Sequence, residues 1–277
     1  TIALVMSRPT EMAFANPFFS EVIQGIAHSA QVKHYNLMIS AAEDYKFEYE
    51  ETLKLYKDGR VDGLILMASR VNDKLISSLK EINCPFVLIG RCPEFENVPR
   101  VDNDNIKAAF KMTEFLIENG NESIALLSGP SDYVVSRDRI KGYKKALNKY
   151  NIPIKDNLIK YTDFSYDSAY EDAKKFLKED ISKIDQIFAL DDLLAVAVVN
   201  RFLNSGYKIP EDIGVAGFND QPISRYVNPN LTTVRIPIKK MGSKAVNMLI
   251  DIINDSDYEG EELIIPTKII PRQTHSY

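Results

Sequence analysis

The stretch Thr1–Ile26, TIALVMSRPTEMAFANPFFSEVIQGI, is the part of the sequence that decides the fold. Its apolar run Ile2–Met6 is typical of a strand that is buried on both faces of a parallel sheet. After a loop, Asn16 and Pro17 predict the start of a helix, because Asn is a favoured N-cap and Pro at the next position already has a helical φ. Apolar residues then recur at three- and four-residue steps, as on a helix packed against a sheet. The stretch therefore predicts the first strand and helix of an α/β fold.

Two phenylalanines, Phe18 and Phe19, occupy the first turn of this helix. Adjacent positions cannot both lie on the buried stripe, so at least one ring should face the carboxyl end of the sheet, where open α/β folds bind ligands. The alternative is that both rings pack the helix against the sheet. The residues alone leave both interpretations open.

Strand and helix patterns alternate along the rest of the chain, and they start a second series at Ser123–Gly129, SIALLSG, which is similar to the opening TIALVMS. This alternation predicts doubly wound parallel sheets in two similar halves, with a boundary between Asn119 and Glu122. Further strands are predicted at residues 37–41, 63–68, 85–90, 158–161, 184–190, 213–218, 231–236 and 263–270.

The predicted organisation is two Rossmann-like lobes with parallel sheets, residues 1–121 plus 235–262 and residues 122–234 plus 263–277. A helix predicted at 237–253 remains after two complete sheets. If it returns to the first lobe, the chain crosses between the lobes three times, near 121, 233–235 and 262–264. Such crossings form a hinge, and a cleft between lobes is the usual place for a small ligand.

Composition is that of an ordinary globular protein, with 45% apolar residues and 34 basic against 39 acidic residues, a net charge of −5. No basic run has the charge of a free-standing DNA-binding surface. No apolar run reaches membrane-spanning length, and the given sequence begins on a core strand without a signal-peptide pattern. We therefore expect a chain without membrane contact that is cytoplasmic, the alternative being that a targeting segment has been removed. Cys84 and Cys92 are expected to be reduced, and the scattered histidines predict no metal site.

Sequence patterns of enzymes are missing. The chain has no GxxxxGK[ST] phosphate loop, no GxSxG elbow and no GxGxxG after a strand, and no nucleophile is paired with a histidine. The neighbouring acids Asp191 and Asp192 do not form the carboxylate pair of a glycosidase, because they point in different directions from adjacent positions. We therefore predict a binding protein that needs no cofactor, not an enzyme.

The densest polar stretch is Ser136–Tyr143, SRDRIKGY, at the predicted start of a helix. Cations at a helix N-terminus oppose the helix dipole, so Arg137 and Arg139 in this place suggest a partner. A guanidinium holds several donors in a rigid fork and can bind neighbouring hydroxyls or a carboxylate. The alternative is a solvated helix face on which Asp138 and Lys141 are the partners.

Polar residues also follow three predicted strands of the second half: DFS at 163–165, DD at 191–192 and ND at 219–220. Because carboxyl ends of parallel strands lie at one edge of a sheet, these residues could form one site there. For each acid taken singly, the alternative is a helix N-cap.

Several motifs together resemble the effector-binding cores of LacI/GalR-type regulators, which share their fold with type 1 periplasmic sugar-binding proteins. These motifs are the opening strand followed by NPFF, GP at 129–130 followed after six residues by RxRxxGY, GFND at 217–220, and the LTT run at 231–233 with the helix after it. The resemblance covers almost the whole chain and implies the periplasmic binding protein-like fold of type I.

The resemblance also implies a set of ligand-binding residues. In the family the phenylalanines and the aromatic ring after a second-lobe strand stack on the ligand, an arginine holds the effector, and polar strand ends add contacts. The matching residues here are Ser7, Phe18, Phe19, Arg91, Arg139, Phe164, Asp191 and Asn219. Asp191 stands where the family usually has a ligand-contacting Asn, with Asp192 at the helix cap, and Gly90 replaces a frequent Asp before Arg91. DN at 104–105 matches a family motif and is interpreted mainly as a helix cap.

Two functions fit this resemblance. One is the sugar-sensing core of a repressor that forms a homodimer and binds operator DNA through a helix-turn-helix headpiece preceding Thr1. The other is an exported sugar-binding protein of a transporter. RDRIKGYKKAL and KKMGSKAVNMLIDII are more similar to the regulators, and NPFFxEVIxGI, PFVLIG and ALDDLLA most resemble maltose-type repressors of Gram-positive bacteria. We therefore expect a maltose or malto-oligosaccharide effector; binding of a phosphoprotein corepressor to the first lobe stays open.

Overall fold

The structure is a computed structural model that describes residues 1–6, 10–42, 44–67, 70–71, 73–95, 97–179, 181–255, 257–258 and 260–275, without the side chains of residues 10 and 12. It is an α/β fold with two six-stranded, mainly parallel sheets, as predicted. Unit 1 comprises Thr1–Asn103, Tyr133–Val135 and Pro237–Ile265. Unit 2 comprises Asp104–Asp132, Ser136–Ile236 and Pro266–Tyr277.

The elements follow the predicted alternation closely. In chain order the strands are β1 (Ile2–Met6), β2 (Leu37–Ala41), β3 (Gly63–Met67), β4 (Phe86–Ile89), β5 (Arg100–Asp102), β6 (Ile124–Ser128), β7 (Ile159–Tyr161), β8 (Gln186–Ala189), β9 (Gly214–Asn219), β10 (Thr232–Arg235), β11 (Glu262–Ile264) and β12 (Lys268–Ile270). The α-helices are α1 (Thr10–Ala15), α2 (Pro17–Val32), α3 (Tyr45–Lys57), α4 (Lys74–Glu81), α5 (Asn105–Glu118), α6 (Val134–Lys149), α7 (Tyr166–Leu177), α8 (Asp192–Asn204) and α9 (Ile238–Asn254). The short helix α1 was not predicted.

The sheet of unit 1 has the order β11-β5-β4-β3-β1-β2 and is parallel throughout. All residues of β1 are buried, because the strand lies inside a sheet that helices cover on both faces. Asn16 caps α2 as predicted, since its side-chain oxygen accepts a hydrogen bond from the backbone N–H of Phe18 at 2.9 Å.

Helix α9 packs on α2 at very short range. A Cβ added at Gly25 would lie 2.0 Å from the carbonyl oxygen of Lys239, and one added at Gly242 would lie 2.6 Å from that of Val22. Ser29 and Ser243 are joined by a hydrogen bond of 2.6 Å between their hydroxyls. The helix after the second sheet therefore belongs to unit 1.

The sheet of unit 2 has the order β12-β10-β9-β8-β6-β7, in which β12 is antiparallel to β10. The prediction of one last strand at 263–270 is wrong: β11 pairs with β5 in unit 1, and β12 pairs with β10 in unit 2. Pro266 separates the two strands and has no N–H for a sheet hydrogen bond. The chain therefore leaves the first sheet after Ile265, whose N–H donates to Asp102 at 2.7 Å.

The first boundary between the units falls at residues 103–104, whereas the sequence predicted it near 121. The difference concerns α5. This helix contacts β10 and β12, and Gly142 of α6 approaches it so closely that an added Cβ would lie 2.2 Å from the carbonyl oxygen of Ile106. Its packing partners therefore group α5 with unit 2.

Cys84 and Cys92 are both buried and free, as predicted. Within the described ranges, no group of three His, Cys, Asp or Glu side chains is arranged to hold a metal ion. The helices of those same ranges include none that is long and apolar enough to cross a membrane.

Candidate functional site

The candidate site of unit 2 lies at one edge of its sheet. Strands β6, β8 and β9 are parallel neighbours, so their carboxyl ends lie side by side. Asp191 follows β8, Asn219 ends β9, and Arg139 lies in the helix that follows β6. Three of the eight predicted residues are thereby brought into one hydrogen-bonded cluster.

Arg139 is the centre of this cluster and is only 5% exposed. Its Nε donates to Oδ1 of Asn105 at 2.8 Å, its Nη1 to the carbonyl oxygen of Leu190 at 2.5 Å, and its Nη2 to Oδ1 of Asn219 at 3.2 Å. The guanidinium carbon lies 3.8 Å from the centre of the Phe218 ring, in cation–π contact. Arg139 is therefore no solvated helix residue, which excludes that alternative for it.

Asn219 joins the arginine to an acid. Its Nδ2 donates to Oδ2 of Asp191 at 2.9 Å while its Oδ1 accepts from Arg139. Its φ is +115°, a value that side-chain-bearing residues adopt at a cost of the order of 1–3 kcal/mol and that is concentrated at functional sites. The surrounding contacts hold this conformation.

Of the two neighbouring acids, the structure assigns the helix cap to the one that was not predicted to make it. Asp191 is the N-cap of α8, since its Oδ1 accepts from the N–H of Leu193 at 2.8 Å, so the assignment of the cap to Asp192 is wrong. Asp192 is the first helical residue, fully buried, and accepts from the N–H of Gln221 at 2.7 Å and from the hydroxyl of Thr233 at 2.5 Å. Burial raises the pKa of Asp192 to about 8. The hydrogen bond from Thr233 lowers this pKa, whereas the charge of Asp191 raises it.

Asp220, next to Asn219, is held by arginines. Its carboxylate accepts from Arg272 at 2.5 Å, from Arg235 at 2.6 Å and from Arg225 at 3.3 Å. Burial alone would raise the pKa of Asp220, but the hydrogen bonds from Arg272 and Arg235 and the charge of Arg272 outweigh it and lower the pKa. Asp220 is therefore ionised and anchors the end of β9, whereas Asp192 favours its protonated form.

Phe164 lies at the end of the neighbouring strand β7 and is buried. Its ring packs directly on Gly129, where an added Cβ would lie 2.1 Å from Cζ. The preceding Asp163 accepts from the N–H of Ser165 and the hydroxyl of Ser168, both at 2.8 Å. Burial raises the pKa of Asp163, but these hydrogen bonds outweigh it and lower the pKa, while Ser165 is the N-cap of α7.

Three of the four predicted site residues of unit 1 lie in the described part of the chain. Phe18 and Phe19 meet edge to face with their ring centres 5.7 Å apart; Phe19 is 2% exposed, and Phe18 is half-buried. Arg91 follows β4 and lines a pocket. The other residues lining this pocket are Cys92, Pro93, Asn97, Arg100 and Glu262. Ser7 lies outside the described residues. The ligand contacts of these four residues stay predictions.

Two residues of the cluster were missed by the sequence interpretation. Asn105 was interpreted as part of a helix cap, yet its side chain binds Arg139, while Asp104 makes the cap. Phe218 was predicted only as a strand residue, and its ring supports the guanidinium. The DN motif was the signal for Asn105; nothing in the sequence distinguished Phe218 from other buried aromatics.

Comparison with known proteins identifies the family. Residues 113–275 match the periplasmic binding protein-like domain. Over 277 residues the chain is 31% identical to the HTH-type transcriptional regulator CelR of Thermobifida fusca, covering 99% of this chain and 81% of that protein. The chain is the effector-binding core of a LacI-family regulator. The HTH-type transcriptional repressor PurR of Aliivibrio fischeri MJ11 is 29% identical over 94% of the chain and 77% of its own length.

Solved structures of LacI-family proteins have the same fold. The crystal structure of a LacI transcriptional regulator from Bacillus cereus subsp. cytotoxis has a TM-score of 0.94 at 34% identity, covering 99% of this chain and 97% of that one. A complex of CelR with cellobiose has a TM-score of 0.92 at 30% identity, and the match covers 99% of this chain and 84% of that one. A structure described as the maltose operon repressor of Staphylococcus aureus has a TM-score of 0.88 at 25% identity, with 99% and 96% covered. This LacI-family core is a transcription regulator, not an enzyme.

Proposed function

We propose that this LacI-family core senses a sugar, with a glucose disaccharide as the effector and maltose as the first candidate. The observation that carries the proposal is the buried cluster of Arg139, Asn219 and Asp191 at the carboxyl edge of the second sheet. A guanidinium, an amide and a carboxylate within hydrogen-bond distance offer donors and acceptors side by side, which is what neighbouring sugar hydroxyls require.

The carboxylate at position 191 determines which kind of ligand group this part of the cluster prefers. An ionised Asp accepts hydrogen bonds only, whereas Asn also donates. Asp191 therefore favours a ligand that presents a hydroxyl donor. Arg139 is complementary, since a guanidinium only donates. Sugar hydroxyls satisfy both groups because each one donates and accepts.

Two relatives support a glucose disaccharide in different ways. Similarity to the structure described as a maltose operon repressor of Staphylococcus aureus supports maltose as the effector of this chain, as do the sequence motifs described above. The CelR–cellobiose complex is more similar to this chain and makes cellobiose the second candidate. Both sugars consist of two glucose units, so the cluster chemistry fits either.

In this proposal the protein acts as a cytoplasmic homodimer on operator DNA, and the names of relatives that are HTH-type transcriptional regulators support the DNA binding. The core recognises no bases, consistent with its net charge of −5. Effector binding changes the affinity for operator DNA only through different affinities for the two conformations of the core.

Calorimetric titration with maltose, cellobiose, glucose, ribose and a purine base tests the proposal. We expect one disaccharide to bind, and Arg139→Lys to weaken that binding at least tenfold because Lys lacks the planar fork. Arg137→Ala is the matched control: Arg137 is exposed, belongs to the same RxR motif and donates from Nε to the carbonyl oxygen of Ser131 at 2.7 Å. Binding of the purine alone, or equal losses in both variants, would contradict the proposal.

A further inference from the structure

We propose that Asn105 is a positioning residue that orients the Arg139 guanidinium for the effector. The inference rests on the proposed function of Arg139 and extends it to a side chain from another element. Asn105 is the first residue of α5 and is 6% exposed. Its Oδ1 accepts the Nε–H of Arg139 at 2.8 Å, a bond between residues 34 positions apart in sequence.

The role of Asn105 follows from which nitrogen of Arg139 donates this hydrogen bond. Nε is the donor nearest the aliphatic part of the arginine, so an acceptor placed there fixes the rotation of the whole planar group. The Nη atoms are then directed to the ends of β8 and β9, where they bind the Leu190 carbonyl oxygen and Asn219. The Phe218 ring supports the guanidinium face. Asn105 thus sets the orientation in which the Nη atoms reach the strand ends.

The backbone before Asn105 is built to hold this side chain in place. Asp104 has a φ of +48°, in the left-handed region, and its side chain accepts from the N–H of Lys107 at 3.0 Å as the N-cap of α5. A left-handed Asp is tolerated when its side chain makes local hydrogen bonds. This cap fixes the first helical position, where Asn105 lies.

An amide is also the appropriate acceptor chemically. The Asn105 oxygen satisfies Nε without placing a full negative charge beside it, so the Arg139 charge is not neutralised by this contact. A carboxylate at 105 would accept the same hydrogen bond. Alanine would accept none and would leave a buried donor without this acceptor.

Hydrogen exchange of the Arg139 Nε–H, followed by NMR on the whole chain, tests the bond directly. The resonance is assigned by its loss in Arg139→Lys. We expect Asn105→Ala to accelerate this exchange at least tenfold and Asn105→Asp to keep it near the wild-type rate. Asn121→Ala is the matched control, a buried Asn just after the other end of α5 that donates to the Leu116 carbonyl oxygen at 2.9 Å. Unchanged exchange in Asn105→Ala would overturn the proposal.

Maltose and cellobiose titrations of the same variants test the consequence. We expect Asn105→Ala to weaken disaccharide binding about tenfold, which corresponds to about 1.4 kcal/mol, with Asn121→Ala within threefold of wild type. Wild-type affinity in Asn105→Ala, together with weak binding in Arg139→Lys, would overturn the positioning role and leave the proposed function standing. If neither sugar binds the wild-type chain, the proposed effector is wrong, and the exchange rates decide the Asn105 bond independently.

Discussion

Asp192→Asn should remove a pH dependence from the stability of this protein. Asp192 is fully buried and its pKa is raised to about 8, against about 3.9 for an unperturbed Asp in the unfolded chain. Between these two values the folded state holds a proton that the unfolded state has lost. The folded state therefore loses stability as pH rises through this window.

The size of the effect follows from proton linkage. One proton of difference changes the free energy of unfolding by about 1.4 kcal/mol per pH unit, so Asp192 should cost about 3 kcal/mol between pH 5 and pH 7. An Asn at 192 cannot titrate. Its Oδ1 can accept from the Gln221 N–H and its Nδ2 can donate to the Thr233 hydroxyl, which reproduces the hydrogen bonds of the protonated acid.

The assay is urea unfolding at pH 5, 6 and 7, followed by circular dichroism, with wild type and variant in identical buffers. Groups common to both proteins, such as His275 with its pKa lowered by burial, cancel in the difference. The stability of Asp192→Asn relative to wild type should rise by about 1.4 kcal/mol per pH unit. Asp163→Asn is the control: the pKa of Asp163 is lowered, so its titration lies below this window and its difference should stay constant. A constant difference for Asp192→Asn would refute the reasoning.

Three further predictions concern packing and burial. Arg139→Ala should lower the free energy of unfolding by about 3 kcal/mol in urea titrations, because three buried oxygens lose the hydrogen bonds that Arg139 donates to them. A loss below about 0.5 kcal/mol, which is the usual size for surface substitutions, would contradict this prediction. Gly25→Ala should destabilise the folded protein by about 1–3 kcal/mol, because the added Cβ would lie 2.0 Å from the Lys239 carbonyl oxygen, and thermal melts measure this loss. An unchanged melting temperature would contradict the close packing of α2 on α9. Cys84 and Cys92, whose pKa burial raises to about 12, should react with a thiol reagent at pH 8 only at the rate of unfolding, so rapid reaction of the native chain would refute their burial.

Local pattern predicted most of the fold because the decisive signals are short. The apolar run of β1, the Asn16 cap and the Pro17 start are each encoded within a few residues, and the structure contains all three. The strand at 263–270 was predicted wrongly, since one apolar, β-branched run looks the same whether it pairs with one sheet or two. The grouping of α5 likewise depends on which neighbour its buried face meets.

The candidate site was also predictable from the sequence only in part. The sequence by itself determined that polar residues follow the strands of a parallel sheet and that an RxRxxGY helix follows one of them, because strand and helix periodicity are local properties. Only the tertiary structure decided that Arg139 binds Asn105 and Asn219, that Phe218 supports it, and that Asp191, not Asp192, caps α8. The contacts of Arg139 with Asn105 and Asn219 join residues 34 and 80 positions apart, so they exist only after the strands have been placed side by side. The pKa values of Asp192 and Asp220 differ for the same reason: burial and arginine partners are properties of the folded surroundings, not of the residue.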